Sequence, residues 1–272
     1  MRRSALVAAL LLVGAGVVGV VLLGTRGGHS PAATAAAQPV AAAAKRAHRR
    51  LPLHLSARSA GSLAAPLQDA AGAALTNGSV LLLGGLTAAD TSSAALHLVS
   101  AGRDRALGSL PVALHDAAAV RLGRFVYLFG GGDGTAQHRE IVRVDPVSGR
   151  TQAAGSLPAG SSDQAAAAIA DTAYVVGGYD GTRWLDTVVA WRPGAPSRVV
   201  AHLPDPVRYA AVTAVGSSLV VAGGSLPDGR ASDSVYVLHA GSSRAVRIGR
   251  LPAPTTHASA ATVDGTAIVV GG

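Results

Sequence analysis

The chain has 272 residues, no cysteine and a formal net charge of +8. The lack of cysteine excludes disulfides, thiolate metal sites and cysteine nucleophiles. Residues 1–50 carry seven basic residues and no acidic one, which leaves 16 bases against 15 acids in the rest. Because a nearly neutral body is unsuited to tracking nucleic-acid phosphates, no nucleic-acid partner is expected.

The first predicted element is a membrane segment. Residues 4–24 contain no charged side chain and are long enough to span a bilayer as a helix. Arg2 and Arg3 precede this stretch, which favours a cytoplasmic N terminus and an exported body. We therefore predict a single-pass signal-anchor over residues 1–26, a cell-membrane location and an extracytoplasmic body.

Residues 27–51 follow as a predicted linker, rich in alanine, glycine and proline and free of a hydrophobic pattern. Two features within it leave the topology open. The small residues Ala35-Ala36-Ala37 allow a cleaved signal peptide as the alternative to an anchor. The basic cluster from Lys45 to Arg50 opposes the predicted orientation.

Residues 52–272 contain a repeat marked by an apolar run that ends in a glycine pair. The first glycines of successive pairs are 46, 47, 46 and 48 residues apart. A second marker, Leu-Pro, occurs at 110–111, 157–158, 203–204 and 251–252, with each proline 19 residues before its glycine pair. Periods of 20–50 residues indicate solenoids, propellers or arrays. The structural glycine pairs are Gly84 and Gly85, Gly130 and Gly131, Gly177 and Gly178, Gly223 and Gly224, and Gly271 and Gly272.

Each repeat predicts four short antiparallel strands. The first is an alanine-rich segment of about six residues, such as 117–122 or 210–215, which is too short for a stable helix. Turn residues such as Asn77-Gly78 and Asp264-Gly265 then lead into the apolar second strand. A third strand and a more polar fourth strand complete the unit, so the fold class is predicted as all-β, a β-propeller with four-stranded antiparallel blades.

These features together resemble the kelch repeat: an apolar strand ending in Gly-Gly, an Asp-Gly turn, a third strand, and a fourth strand that closes in Leu-Pro. The resemblance covers residues 52–272 and implies a propeller that binds protein or carbohydrate through the loops at one end. The fourth strand lacks the aromatic residue that the family pattern leads us to expect, which predicts looser packing between blades.

The number of blades is left open by the sequence. Five repeats are visible, and the last one stops after its second strand at Gly272. Residues 52–65 echo the third and fourth strands of the next repeat, so we expect them to complete the last blade and close a ring of five. An open arc is the alternative.

Candidate site residues come from the two loop sets that the resemblance places on one face. The loops before the innermost strands carry His115, Arg208, Tyr209 and His257, together with Asp69, Asp116 and Asp163. The loops after the glycine pairs carry Tyr179, Arg183, Trp184 and Arg230, together with Asp133 and Asp180. Arginine, tyrosine and tryptophan are common binding anchors, and Arg183-Trp184 beside Tyr179 forms the predicted centre.

The sequence gives less support to metal binding, cofactor binding or catalysis. The Asp-Gly pairs are expected to serve their own turns. His115 and His257 lack the further ligands that a metal site needs, so neither metal nor cofactor is expected. No catalytic motif is present, and Glu140 is the only glutamate.

The predicted function is therefore a membrane-tethered, extracytoplasmic binding or scaffold module with a monomeric body and a protein or glycan partner. One alternative is an enzyme that resembles sugar epimerases or mutarotases, with Arg208, His115 and Asp163 at the channel mouth. The related copper radical oxidases are excluded, since they need a Tyr–Cys cross-link and this chain has no cysteine. A second alternative is a structural or incomplete repeat domain without a ligand.

Overall fold

The computed structural model describes residue 56 and residues 59–272. The predicted anchor (1–26) and linker (27–51) lie outside the described residues. Within the described residues there is no helix long and apolar enough to cross a membrane.

The described residues form an all-β fold of five successive antiparallel sheets. Sheet 1 contains β1 (Ala71–Ala74), β2 (Val80–Leu83), β3 (Ser93–Ser100) and β4 (Arg103–Leu114). Sheet 2 contains β5 (Ala118–Leu122), β6 (Phe125–Phe129), β7 (Glu140–Val144) and β8 (Thr151–Ser156). Sheet 3 contains β9 (Ala165–Ile169), β10 (Thr172–Val176), β11 (Thr187–Trp191) and β12 (Arg198–His202). Sheet 4 contains β13 (Ala211–Val215), β14 (Ser218–Ala222), β15 (Ser234–His239) and β16 (Val246–Arg250), and sheet 5 contains β17 (Ser259–Val263) and β18 (Thr266–Val270).

The strand order in each complete sheet follows the chain, so every sheet is an antiparallel meander. The innermost strands β1, β5, β9, β13 and β17 contact one another in that sequence. The alanine-rich segments are therefore strands, as predicted, and the turns after them lie where the sequence placed them. Four-stranded sheets that repeat in this way resemble the blades of a β-propeller.

The apolar core lies between neighbouring sheets. The second strands β2, β6 and β14 are almost fully buried. The apolar clusters join residues of adjacent sheets, for instance Leu81 and Leu83 of sheet 1 with Val126 and Leu128 of sheet 2. Burial of these side chains supplies the main favourable free energy that holds one sheet against the next.

The glycine pairs are explained by contacts between sheets. In Gly177-Gly178, both backbones have positive φ, and a Cβ on Gly177 would overlap the carbonyl oxygen of Val207, which leads into sheet 4. The Gly178 N–H donates to the same Val207 oxygen at 2.8 Å. The pairs that end β2, β6 and β14 make the corresponding bond to the next loop. The pair thus lets one backbone approach the following sheet closely enough to bond it.

Packing between sheets varies with one position on the third strand. Trp191 lies at this position in sheet 3 and packs on Tyr127 of sheet 2, with ring centroids 5.0 Å apart. The equivalent residue in sheet 4 is Leu238, which leaves a crevice of about 350 Å³ between sheets 3 and 4 beside Tyr174. A large aromatic therefore fills one junction from the third strand, and its absence leaves the next junction open.

Closure of the ring is not shown. Residues 52–55 and 57–58 of the predicted closing segment lie outside the described residues, and residues 59–65 form no strand. Residues 60–61 lie close to Gly102 of sheet 1. One repeat later, residues 107–108 of β4 lie close to Gly149 of sheet 2 in the same way. The segment therefore lies where the fourth strand of a preceding blade would lie, and ring closure itself stays a prediction.

Candidate ligand-binding site

The two predicted loop sets lie at the same end of the sheets. Isolated β-bridges join the loops before β1, β5, β9 and β13 to the residues that follow the glycine pair, as between His115 and Gly132, Ser162 and Tyr179, and Arg208 and Ser225. Because the first two strands of a sheet are antiparallel, the entry to the first and the exit from the second must meet at one edge.

A backbone ladder brings the loop residues of different sheets together. Asp116 donates its N–H to the carbonyl of Asp69 at 3.0 Å, and Asp163 donates to Asp116 at 2.8 Å. The N–H of Tyr209 bonds the carbonyl of Asp163 at 2.9 Å, and the N–H of His257 bonds that of Tyr209 at 3.2 Å. One residue from each repeat thus joins a continuous chain of hydrogen bonds beside the innermost strands.

All five ladder residues have a left-handed backbone, with φ between 50° and 60°. Aspartate and histidine tolerate this region better than most residues, whereas a bulky residue such as Tyr209 is an outlier there. Outliers of this kind cost free energy and cluster at functional sites. The aspartates therefore have a conformational reason to be at these positions as well as a chemical one.

An ion pair lies at the centre of the cluster. Arg208 Nη2 donates to Asp163 Oδ2 at 2.8 Å, and the Asp163 side chain is only 2% exposed. The same carboxylate oxygen accepts a bond from Ser162 Oγ at 3.1 Å. The Tyr209 oxygen in turn accepts a bond from Arg208 Nη2 at 3.1 Å.

Aromatic rings surround the guanidinium of Arg208. Its Cζ atom lies 4.6 Å from the ring centroid of Tyr179, 4.9 Å from that of Trp184 and 5.1 Å from that of Tyr209. Tyr179 and Trp184 pack edge to face. These cation–π contacts, with the Asp163 ion pair, hold the guanidinium in one place.

A second carboxyl group adjoins the ion pair. Burial, followed by the charges of Asp163 and Asp69, raises the pKa of Asp116 to about 8. His115 Nε2 lies 3.8 Å from Asp116 Oδ2, and His115 Nδ1 is bonded to Ser92 Oγ at 2.8 Å. Asp116 is therefore a carboxyl group that carries a proton at neutral pH beside a carboxylate that is paired with arginine.

An aromatic stack completes the cluster. The rings of Tyr209 and His257 lie 3.9 Å apart at 24°, and His257 is exposed. Burial, followed by the charges of Asp116 and Asp163, raises the pKa of the Tyr209 hydroxyl. Tyr209 therefore remains a neutral hydrogen-bonding group, and His257 presents a flat face to solvent.

The predicted centre is thus only partly assembled. Tyr179 and Trp184 join Arg208, but Arg183 is 79% exposed and pairs with Asp180 of its own turn at 3.0 Å. Arg230 likewise pairs with Asp228 and is 76% exposed. The carboxylates of Asp133 and Asp180 accept backbone bonds within their own turns, as the Asp-Gly pattern led us to expect.

Some features of the site were not found from the sequence. Ser162 was not singled out, and the Asp116–Asp163 contact joins residues of two repeats that no sequence pattern pairs. The Arg208 Nε and Trp184 Nε1 atoms are buried and have no hydrogen-bond partner among the described residues. Unpaired buried donors are uncommon in proteins and mark places that deserve a functional explanation.

The cluster can hold an uncharged or polar ligand by hydrogen bonds and by stacking. Within residues 59–272, no group of three or more histidine and acidic side chains could hold a metal ion. A convergence of a few polar groups, an aromatic face and a carboxyl with a shifted pKa is typical of ligand sites.

Comparison with known proteins supports the fold. No family model matches the chain, and no curated protein matches it. Among solved structures, the chain is similar to that of YjhT, with 16% sequence identity and a TM-score of 0.66 over 78% of this chain and 74% of that one. At this identity the likeness concerns the fold alone, which is propeller-like. Membership of the kelch family stays a prediction.

Proposed function

We propose that this protein is a binding module that recognises a carbohydrate through the cluster around Arg208. The observation that carries the proposal is the fixed guanidinium of Arg208, which the carboxylate of Asp163 and three aromatic rings hold in place. Because its position is set before a ligand arrives, little conformational entropy is lost on binding.

The chemistry of the cluster favours a small hydroxylated ligand over a protein partner. Arg208 and Asp163 offset each other's charge, and the surrounding groups both donate and accept hydrogen bonds. The exposed His257 ring, stacked on Tyr209, offers an apolar face to a sugar ring. The alternative ligand is a protein that binds the outer loops, where Arg183 and Arg230 are exposed.

A glycan panel with matched variants tests the proposal. We expect binding by the full chain to be lost in Arg208→Gln, because the glutamine removes the charge and most of the donors. Arg183→Ala is the control, since its side chain is exposed and pairs only within its own turn. Equal loss in both variants, or glycan binding that neither change affects, would contradict this site.

An enzyme is the second candidate, and one observation favours it. Asp116 combines a pKa of about 8 with a position beside His115 and the Asp163–Arg208 pair. A group with a pKa near neutrality is suited to general acid–base chemistry. The reaction class would be the interconversion of sugar epimers or anomers, which the resemblance to kelch-type propellers suggested.

Mutarotation and epimerisation assays on the sugars that bind separate the two candidates. A catalyst loses turnover in Asp116→Asn and keeps its binding of the sugar, whereas a binding module shows no turnover in either form. Turnover by wild type that depends on Asp116 would replace the binding proposal with the enzyme.

The cellular setting is also a proposal. We propose that residues 4–24 tether the module to the cell membrane and that the body lies outside the cytoplasm, since Arg2 and Arg3 precede the apolar stretch. Protease added to intact cells should then cleave the body. Complete protection until the cells are lysed would place the body in the cytoplasm.

A further inference from the structure

The two ends of the sheets differ in charge. The loop end carries the loops of the candidate site, and the turn end carries the hairpin turns that join the first strand of a sheet to the second and the third to the fourth. Because the strands are antiparallel, these turns lie at the end away from the site. With the strand residue on either side of each connection included, the loop end has eleven acidic residues and five arginines, whereas the turn end has three acidic residues and six arginines.

The arginines of the turn end are exposed and lie outside ion pairs. They are Arg103, Arg124, Arg150, Arg192, Arg198 and Arg244. The ion pairs that arginines form among the described residues lie elsewhere, at the loop end and along β16. The positive charge of the turn end is therefore available to an anionic partner.

Exposed apolar side chains lie among these arginines. Among the described residues, the two most exposed large apolar side chains are Val147 and Val246, at 84% and 60%. Val147 lies in the turn between β7 and β8, and Val246 directly follows the turn between β15 and β16. Apolar tips beside arginines suit a membrane surface, because the apolar groups enter the headgroup region and the cations pair with lipid phosphates.

The predicted membrane tether reaches the body at the turn end. Gln68 joins the loop end through an isolated β-bridge, and from there toward the N terminus the chain passes to residues 60–61. These two residues lie beside Gly102, in the turn between β3 and β4. Residues 25–59 separate this point from the predicted membrane segment, and a coil of about 35 residues spans roughly 30 Å. We therefore expect the turn end to be the part of the body nearest the bilayer.

We propose that the turn end docks on the anionic headgroups of the membrane that carries the protein. The contact orients the body so that the loop end, with the Arg208 cluster, faces away from the bilayer. The same surface repels the acidic loop end, so both ends favour one orientation. This inference rests on the proposed membrane tether and is independent of what the Arg208 cluster binds.

Single-cysteine variants can measure how close each end lies to the bilayer, because the chain has no cysteine of its own. Ser217→Cys places a fluorophore at the turn end and Ala136→Cys places one at the loop end, and both positions are exposed. The full chain would be reconstituted in phosphatidylcholine vesicles with or without phosphatidylglycerol. A quencher attached to the lipid headgroups then reports how close each label lies to the bilayer.

The expected result is quenching at the turn end that depends on anionic lipid. The label at position 217 should be quenched at least about threefold more in anionic than in neutral vesicles, and the label at position 136 should differ little. High salt should reverse the extra quenching, because it screens the attraction of the arginines to the headgroups. Equal quenching of position 217 in both lipids, or stronger quenching of position 136, would overturn the inference.

Matched charge variants test whether the turn-end arginines cause the contact. The test variant combines three substitutions at the turn end: Arg150→Gln, Arg192→Gln and Arg244→Gln. The control removes the same charge from exposed residues of the loop end: Arg139→Gln, Arg183→Gln and Arg230→Gln. The test variant should lose at least about half of the extra quenching, and the control should keep it. Equal losses in two variants that remain folded by circular dichroism would contradict a contact made by the turn end.

Vesicle flotation separates this inference from the proposed tether. A chain that floats with neutral vesicles, but shows no extra quenching in anionic ones, keeps the tether and loses the docking. A chain that floats with neither kind of vesicle loses both. Soluble polyglutamate tests the other class of partner: if it alters the label at position 217 in neutral vesicles while phosphatidylglycerol has no effect, the turn end binds an acidic protein and the inference is wrong.

Discussion

Arg208 Nη2 lies 2.8 Å from Asp163 Oδ2, and this ion pair joins the loops that enter sheets 3 and 4. Asp163 is 2% exposed and Arg208 is 22% exposed, so removal of the carboxylate leaves a largely buried cation without its partner. We expect Asp163→Asn to lower the free energy of unfolding by about 3 kcal/mol.

Chemical denaturation of the two forms measures this loss. Arg230→Ala is the matched control, because its ion pair with Asp228 is at the surface, and it should change stability by less than about 1 kcal/mol. If Asp163→Asn were as stable as wild type, the ion pair would not hold the two sheets together.

The raised pKa of Asp116 makes stability depend on pH. Burial and the nearby carboxylates put its pKa at about 8 in the folded protein, against roughly 3.9 in an unfolded chain. Between these values the folded state holds one more proton than the unfolded state. The contribution of Asp116 is therefore fully favourable below pH 4, declines as the pH rises to about 8, and is constant above that.

Asp116→Asn removes this titration and should be more stable than wild type at pH 9, by roughly 5 kcal/mol for a difference of about four pKa units, with little difference at pH 4. Thermal unfolding of both proteins across this pH range measures the difference. A difference that does not change with pH would show that Asp116 ionises normally in the folded protein.

Trp191 fills the junction between sheets 2 and 3, and its counterpart Leu238 leaves the next junction open. Trp191→Leu should therefore destabilise the protein by about 3 kcal/mol. An indole at position 238 would have less room than the Trp191 indole has. The Trp191 indole lies beside Gly155 of sheet 2, whereas the residue of sheet 3 that is equivalent to Gly155 is Ala201.

We expect Leu238→Trp to add about 1 kcal/mol of stability when it is introduced together with Ala201→Gly, measured against Ala201→Gly alone. Urea denaturation of the variants gives both values. A loss of stability in the double variant would show that the crevice beside Tyr174 cannot accept an indole ring.

The glycine pairs make a prediction that separates backbone strain from steric overlap. Gly177 and Gly216 both have positive φ, at 65° and 57°. A Cβ on Gly216 meets nothing within 4 Å, whereas one on Gly177 overlaps the Val207 carbonyl. Gly216→Ala should cost about 1 kcal/mol from strain alone, and Gly177→Ala should cost roughly 3 kcal/mol. Similar losses in both variants would mean that the backbone can move away from Val207 freely.

Ring closure can be tested by deleting residues 52–65. If this segment completes the last blade, hydrogen exchange in β17 and β18 should become much faster in the deletion variant, since their sheet loses its outer strands. An open arc predicts faster exchange only near Gly102 of sheet 1, where residues 60–61 make contact. Exchange measured by mass spectrometry distinguishes the two results.

The sequence by itself determined the local architecture. The spacing of Gly-Gly and Leu-Pro predicts repeats of four strands, and the short alanine tracts are strands because six residues cannot sustain a helix. The turn residues predict where each hairpin reverses. These features depend on residues close together in the chain, so the sequence of each repeat is enough to predict its strands and turns.

Only the tertiary structure decided how the site is assembled. The sequence predicts Arg183 at the centre of the site and Arg208 among the other candidates, yet Arg183 stays in its own exposed turn and Arg208 enters the aromatic cluster. The raised pKa of Asp116 likewise depends on its burial and on Asp163, which is 47 residues away. The burial of these residues and the charges around them arise when sheets from separate repeats pack together. The sequence pattern within one repeat does not predict which residues of another repeat will lie beside it.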